Sequence, residues 1–292
     1  MPVTHFFTVD VEEHFQVAAL APYVARSRWE TEESRVAANV ARLLDLLEAH
    51  AARGTFFCLG WVAERQPALI RAIAARGHEV ASHGWDHAKV TDLTPDRFRD
   101  QVRRSKAVLE ELAGRPVRGY RAPSYSIVAG REWALDVLVE EGYRYDSSLF
   151  PIRRPGYGYA GGYRDPYWLA RAAGRLAEVP PATLRWFGVN LPAAGGAYFR
   201  LLPEGLVHAA LRQAGRRGRP ATFYLHPWEI DPAQPVYAVP WSTRLRHYGG
   251  LTRTFARLER LLSRFRFTAI AEGLDLAGGG TGAPIAELTA AR

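Results

Sequence analysis

The strongest constraint on this chain is a rhythm: short apolar runs that read as strands alternate with longer segments whose apolar residues recur at helical spacing. The strand pattern falls on "THFFTVDV" (4–11), "TFFCLG" (55–60), "HEVASH" (78–83), "VRGYRAP" (117–123), "YRYDSS" (143–148), "ATFYLHP" (221–227) and "FRFTAIAE" (265–272). Between them, "RVAANVARLLDLLEAHAAR" (35–53) places Val36, Val40, Leu43, Leu44 and Leu47 on one helical face and is expected to stop at Gly54. "ALIRAIAARG" (68–77) ends in glycine, and "TPDRFRDQVRRSKAVLEELAG" (94–114) has a Thr cap, an early Asp and a closing Gly. Further helices are predicted at 130–141, 203–216 and 251–264. Repeated β–α units imply a parallel sheet covered by helices, so the predicted class is α/β and the simplest architecture a barrel of seven or eight units.

One stretch breaks the rhythm. Residues 151–200, with "PGYGYAGGYRDPYW", are rich in Gly, Pro, Tyr and Trp and too long for a plain connection. They are expected to form an inserted loop or hairpin region that, with 228–250, covers the barrel mouth rather than joining its core. Residues 1–277 are expected to form a single domain, and "GGGTGAPIAELTAAR" (278–292) a flexible tail.

Composition narrows the class. The 38 basic and 30 acidic residues leave a formal charge of +8, which suits an anionic partner. The basic residues are nearly all Arg and are spread out, so no nucleic-acid partner is expected; the one cluster, "RQAGRRGRP" (212–220), reads as a solvated helix end and loop. No stretch approaches the roughly 18 apolar residues of a membrane span. The first residues lack a basic segment followed by an apolar one, and the single cysteine, Cys58, sits in an apolar run and rules out an intrachain disulfide. The expectation is a cytoplasmic protein.

The residues that can do chemistry fall at the C-terminal ends of predicted strands, where barrel loops converge on one mouth. In "FTVDVEEHF" (7–15), Asp10 and Glu12 lie two apart and project from the same strand face, whereas Glu13 points the other way. "SHGWDH" sets His83 and His87 four apart, as on a helical turn holding a divalent metal. "RAPSY" (121–125), "DSS" (146–148) and "LHPWE" (225–229) follow later strands. Taken singly, each has a plainer explanation: a surface His pair, a strand-end cap for Asp10, a salt bridge for Arg121, a core histidine for His226. Five clusters at one mouth are hard to explain as packing. His5, His50, His78, His208 and His247 read as structural or surface residues, and His14 as either backing or lining the site.

The ordered set "TVDVEE", "SHGWDH", "RAPSY", "YDSS" and "LHPWE" resembles the polysaccharide deacetylase superfamily (NodB homology, carbohydrate esterase family 4) over roughly residues 4–230. "VDVEEHFQV", "FYLHPWEID" and "HYGGLTRTFARLERLL" are similar, more narrowly, to deacetylases associated with exosortase/PEP-CTERM exopolysaccharide loci. That branch has an extra C-terminal helix–strand region, which this chain carries to about 273. The resemblance implies a distorted (β/α) barrel of seven or eight strands and metal-dependent removal of N-acetyl groups from amino sugars. It implies Asp10 as catalytic base, His83 and His87 as metal ligands, Arg121 as the arginine that orients the base, His226 as general acid and Asp146 in support. The usual second Asp of the first motif is Val11 here, so Glu12 is the expected third ligand. Zinc is the expected ion, although Co2+, Ni2+ and Fe2+ also suit two His and a carboxylate. A backbone N–H near Tyr125 is expected to face the oxyanion. Trp85, Tyr125 and Trp228, with Trp168 and Trp186, are candidates to stack on sugar rings.

The function expected is therefore N-deacetylation of an amino sugar in an exopolysaccharide or its lipid-linked precursor. Two rivals are amidohydrolysis of a small cyclic amide and a non-catalytic carbohydrate-binding scaffold. The complete base, ligand and acid set argues against the scaffold, which needs none of them.

Overall fold

The computed structural model describes residues 3–154 and 156–275, and beyond them the backbone of a two-residue strand, Ala286–Glu287. Apart from that strand, the expected tail lies outside the described residues.

Five strands run in parallel and in sequence order: β1 (Thr4–Val11), β2 (Thr55–Cys58), β3 (Glu79–Ser82), β4 (Gly119–Tyr120) and β5 (Tyr145–Asp146). Between them come the helices α1 (Val36–Ala49), α2 (Gly60–Arg65), α3 (Pro67–Ala75), α4 (Pro95–Ala113) and α5 (Trp133–Glu140). The stretch read as an insertion forms two antiparallel hairpins, β6 (Tyr167–Arg171) with β7 (Gly174–Glu178) and β8 (Thr183–Trp186) with β9 (Val189–Pro192). Helices α6 (Gly196–Leu201) and α7 (Gly205–Arg216) lead to β10 (Thr222–Leu225). The chain then runs through α8 (Trp241–Tyr248), α9 (Leu251–Arg264), β11 (Arg266–Thr268) and α10 (Ile270–Gly273). β10 and β11 both pair in parallel with β1, which makes β1 the centre of the sheet. Its residues are buried from His5 to Val11, as expected of a parallel strand covered on both faces.

The sheet curls into a half-barrel. Its ordered path ends at β10 on one side and at β12 (Ala286–Glu287), beside β6, on the other. The gap between β5 and β10 is spanned by the supposed insertion. The Val179 N–H bonds to Asp146 O at 2.8 Å, the Ala182 N–H to Thr222 O at 2.9 Å, and the Tyr224 N–H to Ala194 O at 2.9 Å. Gly195 makes this approach possible, because a Cβ there would lie 1.6 Å from Tyr224 O. Residues 151–200 were expected to cover the mouth rather than join the core; their ends do line the cleft there, through Arg154, Tyr157 and Tyr198, but β7 joins the sheet in parallel with β5, and Leu176, Ala177 and Val179 are fully buried. The alternation of apolar residues there serves the core.

Most predicted boundaries fall within one to three residues of the observed elements. α4 is capped as the sequence suggested, the Thr94 side chain accepting from the Arg97 N–H and Gly114 taking a left-handed φ of 64°. Two elements differ by more: the strand expected over 265–272 is only Arg266–Thr268, with the helix α10 taking Ile270–Gly273, and α1 is shorter than expected. It ends at Ala49 rather than running to Gly54, and Ala51 takes the positive φ. Gly54 instead enters β2, its N–H donating to His78 Nδ1 at 3.1 Å.

Candidate active site

The end of β1 delivers three carboxylates to three different partners. Asp10 Oδ1 accepts from Arg121 Nη1 at 2.6 Å. Glu12 Oε2 lies 2.8 Å from His87 Nε2. Glu13 turns away and accepts from Ser34 Oγ and from the Arg35 and Val36 N–H groups at 3.0 and 3.2 Å. It thus caps the start of α1, which has no side-chain cap of its own. All three acids are buried. Burial of a carboxylate without such partners costs several kcal/mol, on the order of 2–7 for polar groups generally and more for charges.

Arg121 sits just beyond β4, fully buried, with its guanidinium 4.1 Å above the Phe57 ring. It also donates to Thr8 Oγ1 at 2.8 Å, to Ser147 Oγ at 2.8 Å and to Ser147 O at 3.2 Å. Every donor direction is thus fixed by a strand or strand end, and Asp10 is held in one orientation. Asp146, expected in support of His226, stands at the end of β5 beside Ser147. Its carboxylate accepts from Ser148 Oγ at 2.6 Å and from the Ser148 N–H at 3.1 Å, and neighbouring Ser147 holds the arginine. Asp146 stands in register beside Glu178 of β7; burial raises the pKa of both carboxyls, and the neighbouring Asp146 adds to the rise at Glu178.

Glu12, His83 and His87 bring one ligand atom each to within 4.8 Å of one another. Burial pushes the Glu12 carboxyl up, but His87, His226 and His83 outweigh it and hold it at about 2. Burial lowers His83 to about 4, so it is neutral. Its Nδ1 bonds to Arg121 O at 2.8 Å, which leaves Nε2 as the free lone pair. The two histidines were expected on a helical turn. They sit in a loop after β3, with Gly84 at φ 78° and His87 at φ 60°, and it is this left-handed bend that returns His87 toward Glu12.

His226 follows β10 on the opposite side. Its Nε2 lies 3.6 Å from Glu12 Oε1 and 3.9 Å from Asp10 Oδ2, while Nδ1 lies 3.3 Å from Glu229 Oε2. Its ring stacks on Trp228 at 5.1 Å, and Trp228 stacks on His247 at 4.3 Å. Burial lowers the His226 pKa, but Glu12, Glu229 and Asp10 outweigh it and raise it to about 9. Glu229 is buried and accepts from Arg200 Nε at 2.7 Å; against burial, Arg200 and His226 hold it at about 2. Glu229 stands inside a quoted motif, three residues after His226 on a Pro-initiated turn, and that spacing was the available signal. Arg200, in α6, had none.

These groups form the floor of a cleft of about 640 Å³ lined also by Tyr125, Tyr157, Tyr198, Arg154 and Arg246. Tyr125 and Trp228 line it as expected. Trp85 does not: its ring packs on Gly60 and beneath Arg104, whose guanidinium carbon lies 3.4 Å above it. Trp168 and Trp186 also lie off the cleft, Trp186 standing 57% exposed on the β8–β9 hairpin. The Tyr125 N–H bonds to Ala122 O at 3.0 Å and does not face the cleft as a free donor. His14 stacks on Tyr237 behind the site.

The class so defined is an α/β half-barrel with a Glu–His–His cluster at its strand ends. Residues 31–145 match the polysaccharide deacetylase family, and residues 147–275 match a domain of unknown function, DUF3473. Residues 31–145 thus carry a polysaccharide deacetylase domain, followed by the domain of unknown function. A peptidoglycan-N-acetylglucosamine deacetylase of Bacillus cereus is 31% identical over 96 residues, 32% of this chain and 35% of that protein. The chain thus spans only about a third of the length of that curated relative. The crystal structure of a candidate polysaccharide deacetylase from Mycobacterium smegmatis matches 100% of this chain and 98% of its own, with a TM-score of 0.66 and 22% identity. A PuuE allantoinase matches 92% of this chain and 88% of its own, with a TM-score of 0.59 and 18% identity. At these identities the structures show a shared fold.

Proposed function

We propose that this chain is a metal-dependent N-deacetylase acting on an N-acetylated amino sugar. The observation that carries this reading is the Glu12–His83–His87 cluster at the cleft floor, with the arginine-locked Asp10 on one side and His226 on the other. The cluster fits a divalent ion. It offers two imidazoles and a carboxylate, with one ligand atom of each within 4.8 Å of the others, and the His83 Nε2 lone pair is left free by the bond at Nδ1. A bound ion, zinc by ligand type, supplies Lewis-acid polarisation of the acyl oxygen and a more acidic water.

The chain's own groups divide the remaining work. Asp10, oriented by Arg121, takes the proton of the attacking water at its Oδ2. His226, protonated at neutral pH, gives a proton from Nε2 to the departing amine, and Glu229 at Nδ1 fixes the ring's orientation and tautomer. Tyr125 and Trp228 supply apolar faces for a sugar ring, while Arg121 and Asp146 act from behind the cleft. The exopolysaccharide setting rests on the resemblance of the segments around Glu12, His226 and α9 to the exosortase-associated branch.

The test is acetate release from a panel of N-acetylated glycans, with small cyclic amides alongside, before and after chelation. Acetate released from glycans, lost on chelation and restored by Zn2+, is the expected result. Hydrolysis of the cyclic amides alone would overturn the deacetylase reading, and inactivity of the metal-loaded chain on every substrate would return it to a binding protein.

A further inference from the structure

The floor and the outer wall of the cleft differ in how their charges are used. The acids that line it, Asp10, Glu12 and Glu229, are each engaged by a buried arginine or by histidines. Two arginines that line its outer part, Arg154 and Arg246, have no hydrogen-bond or ion-pair partner for their guanidinium groups among the described residues. They come from distant segments, Arg154 after β5 and Arg246 on α8, and both are exposed. Between them stands Tyr157. Its backbone faces Arg154 in an isolated antiparallel bridge, and its hydroxyl bonds to Tyr198 at 2.6 Å. Both guanidinium groups lie near enough to oppose the rise that burial imposes on the Tyr157 phenol pKa. The position of Arg246 is fixed from below, since the buried Arg200 donates to Arg246 O at 2.8 Å.

Two exposed cations beside tyrosine hydroxyls on a cleft wall create a positive field that a neutral sugar would not use. A guanidinium fork matches the oxygens of a carboxylate or phosphate. We propose that Arg154 and Arg246 form an oxyanion subsite, so that the ligand of this cleft carries a carboxylate or phosphate in addition to its N-acetylated sugar. The proposal deepens the deacetylase reading and rests on it for the acetamide end of the ligand; the anion preference itself rests on the arginines. The shared chemistry is an oxyanion, whether from a uronate in a polymer or from a sugar phosphate.

The experiment is calorimetric titration of the full-length Asp10→Asn chain, in which turnover is blocked, with three probes. These are neutral N-acetylchitobiose, the disaccharide of N-acetylglucosamine and glucuronate, and N-acetylglucosamine 1-phosphate. At least one anionic probe should bind about 10- to 100-fold more tightly than the neutral one, the range of a charge-assisted hydrogen bond. The better of the two anions identifies its source. Adding R154Q and R246Q should collapse the ratio of anionic to neutral affinity toward one, and added salt should shrink it in the parent. Equal affinity for all three probes in the parent, or an unchanged ratio in the substituted chain, would overturn the subsite. If the substituted chain does not fold, the parent comparison still decides. Acetate release by the wild-type chain from the same probes reads the deacetylase activity separately. An anion preference without acetate sinks that reading and keeps the subsite, whereas acetate without a preference does the reverse.

Discussion

Two buried arginines flank the cleft floor, and they are held in different ways. Arg121 is 0% exposed and is bound by the sheet: Asp10 and Thr8 from β1, and Ser147 beside β5. Arg200 is 1% exposed and is bound by a corner: Glu229 on a short turn, and the carbonyls of Arg246 and Gly249 where α8 gives way to α9. The first arginine orients the proposed base and the second orients the carboxylate behind the proposed acid. The base side is thus made by strands whose register is set across the whole sheet. The acid side is made by loops and helices from the segment matching the domain of unknown function. The proposed proton removal is thus tied to strands, and the proposed proton donation and ligand selection to the loops and helices beside them.

The comparison breaks most sharply at the two carboxylates. Asp10→Asn removes the proposed base without changing shape, and turnover should fall by about 10²–10⁴-fold with metal content unchanged. Glu229→Gln should cost much less, on the order of tenfold, because His226 keeps its ring and one hydrogen bond. Its signature is in pH. Glu229 helps raise His226 to about 9, so its loss lowers that pKa. An acid that must be protonated fails as pH rises through its pKa, so the basic limb of the kcat profile should move to lower pH. Profiles of both variants check this. An unmoved limb in Glu229→Gln, or equal losses in the two, would erase the distinction between the sides.

Stability sharpens the same contrast at a smaller scale. Arg200→Leu leaves the buried Glu229 without its arginine, which should cost about 3–5 kcal/mol. The pH dependence has a definite sign. The Glu229 pKa, held at about 2 in the folded chain, contributes stability above its ordinary value near 4.5 that is lost as pH falls toward 2. The deficit of Arg200→Leu relative to wild type should therefore be greatest above pH 4.5 and narrow below it. Denaturant titrations of both chains at pH 7 and pH 3 would read it, and a deficit constant with pH would show that packing rather than the ion pair is lost.

The sheet side was legible in the sequence because strand alternation and strand-end motifs are local signals. Asp10, Glu12, His83, His87, Arg121 and His226 could all be placed at one mouth before any coordinates. The corner side was not. Arg200 lies in a Gly- and aromatic-rich stretch without periodicity, and besides Glu229 its partners are two backbone carbonyls, which no side-chain pattern announces. Trp85 misled because its role depends on a glycine 25 positions away; a Cβ at Gly60 would lie 2.3 Å from its ring. The β6–β7 and β8–β9 hairpins carried readable alternation around "AAG" and "FG", but the return of β7 to the barrel sheet is a topological fact that local sequence does not hold.

The smallest expected effect tests the finest part of the legible side, the division of labour among Glu12 and Glu13. Both are buried and adjacent, yet one faces two histidines and the other the first N–H groups of α1. Glu12→Gln removes a charge from the proposed ligand set, so metal content should fall and excess Zn2+ should restore part of the activity. Glu13→Gln keeps an acceptor at the helix start but weakens it, and should cost about 0.5–2 kcal/mol, the range of a lost cap, with metal content intact. Elemental analysis and thermal melts on the two variants separate the roles. If Glu13→Gln loses metal while Glu12→Gln keeps it, the two side chains have exchanged faces. The strand end then does not deliver its carboxylates to separate partners, and the contrast between a register-built base side and a loop-built acid side loses its foundation.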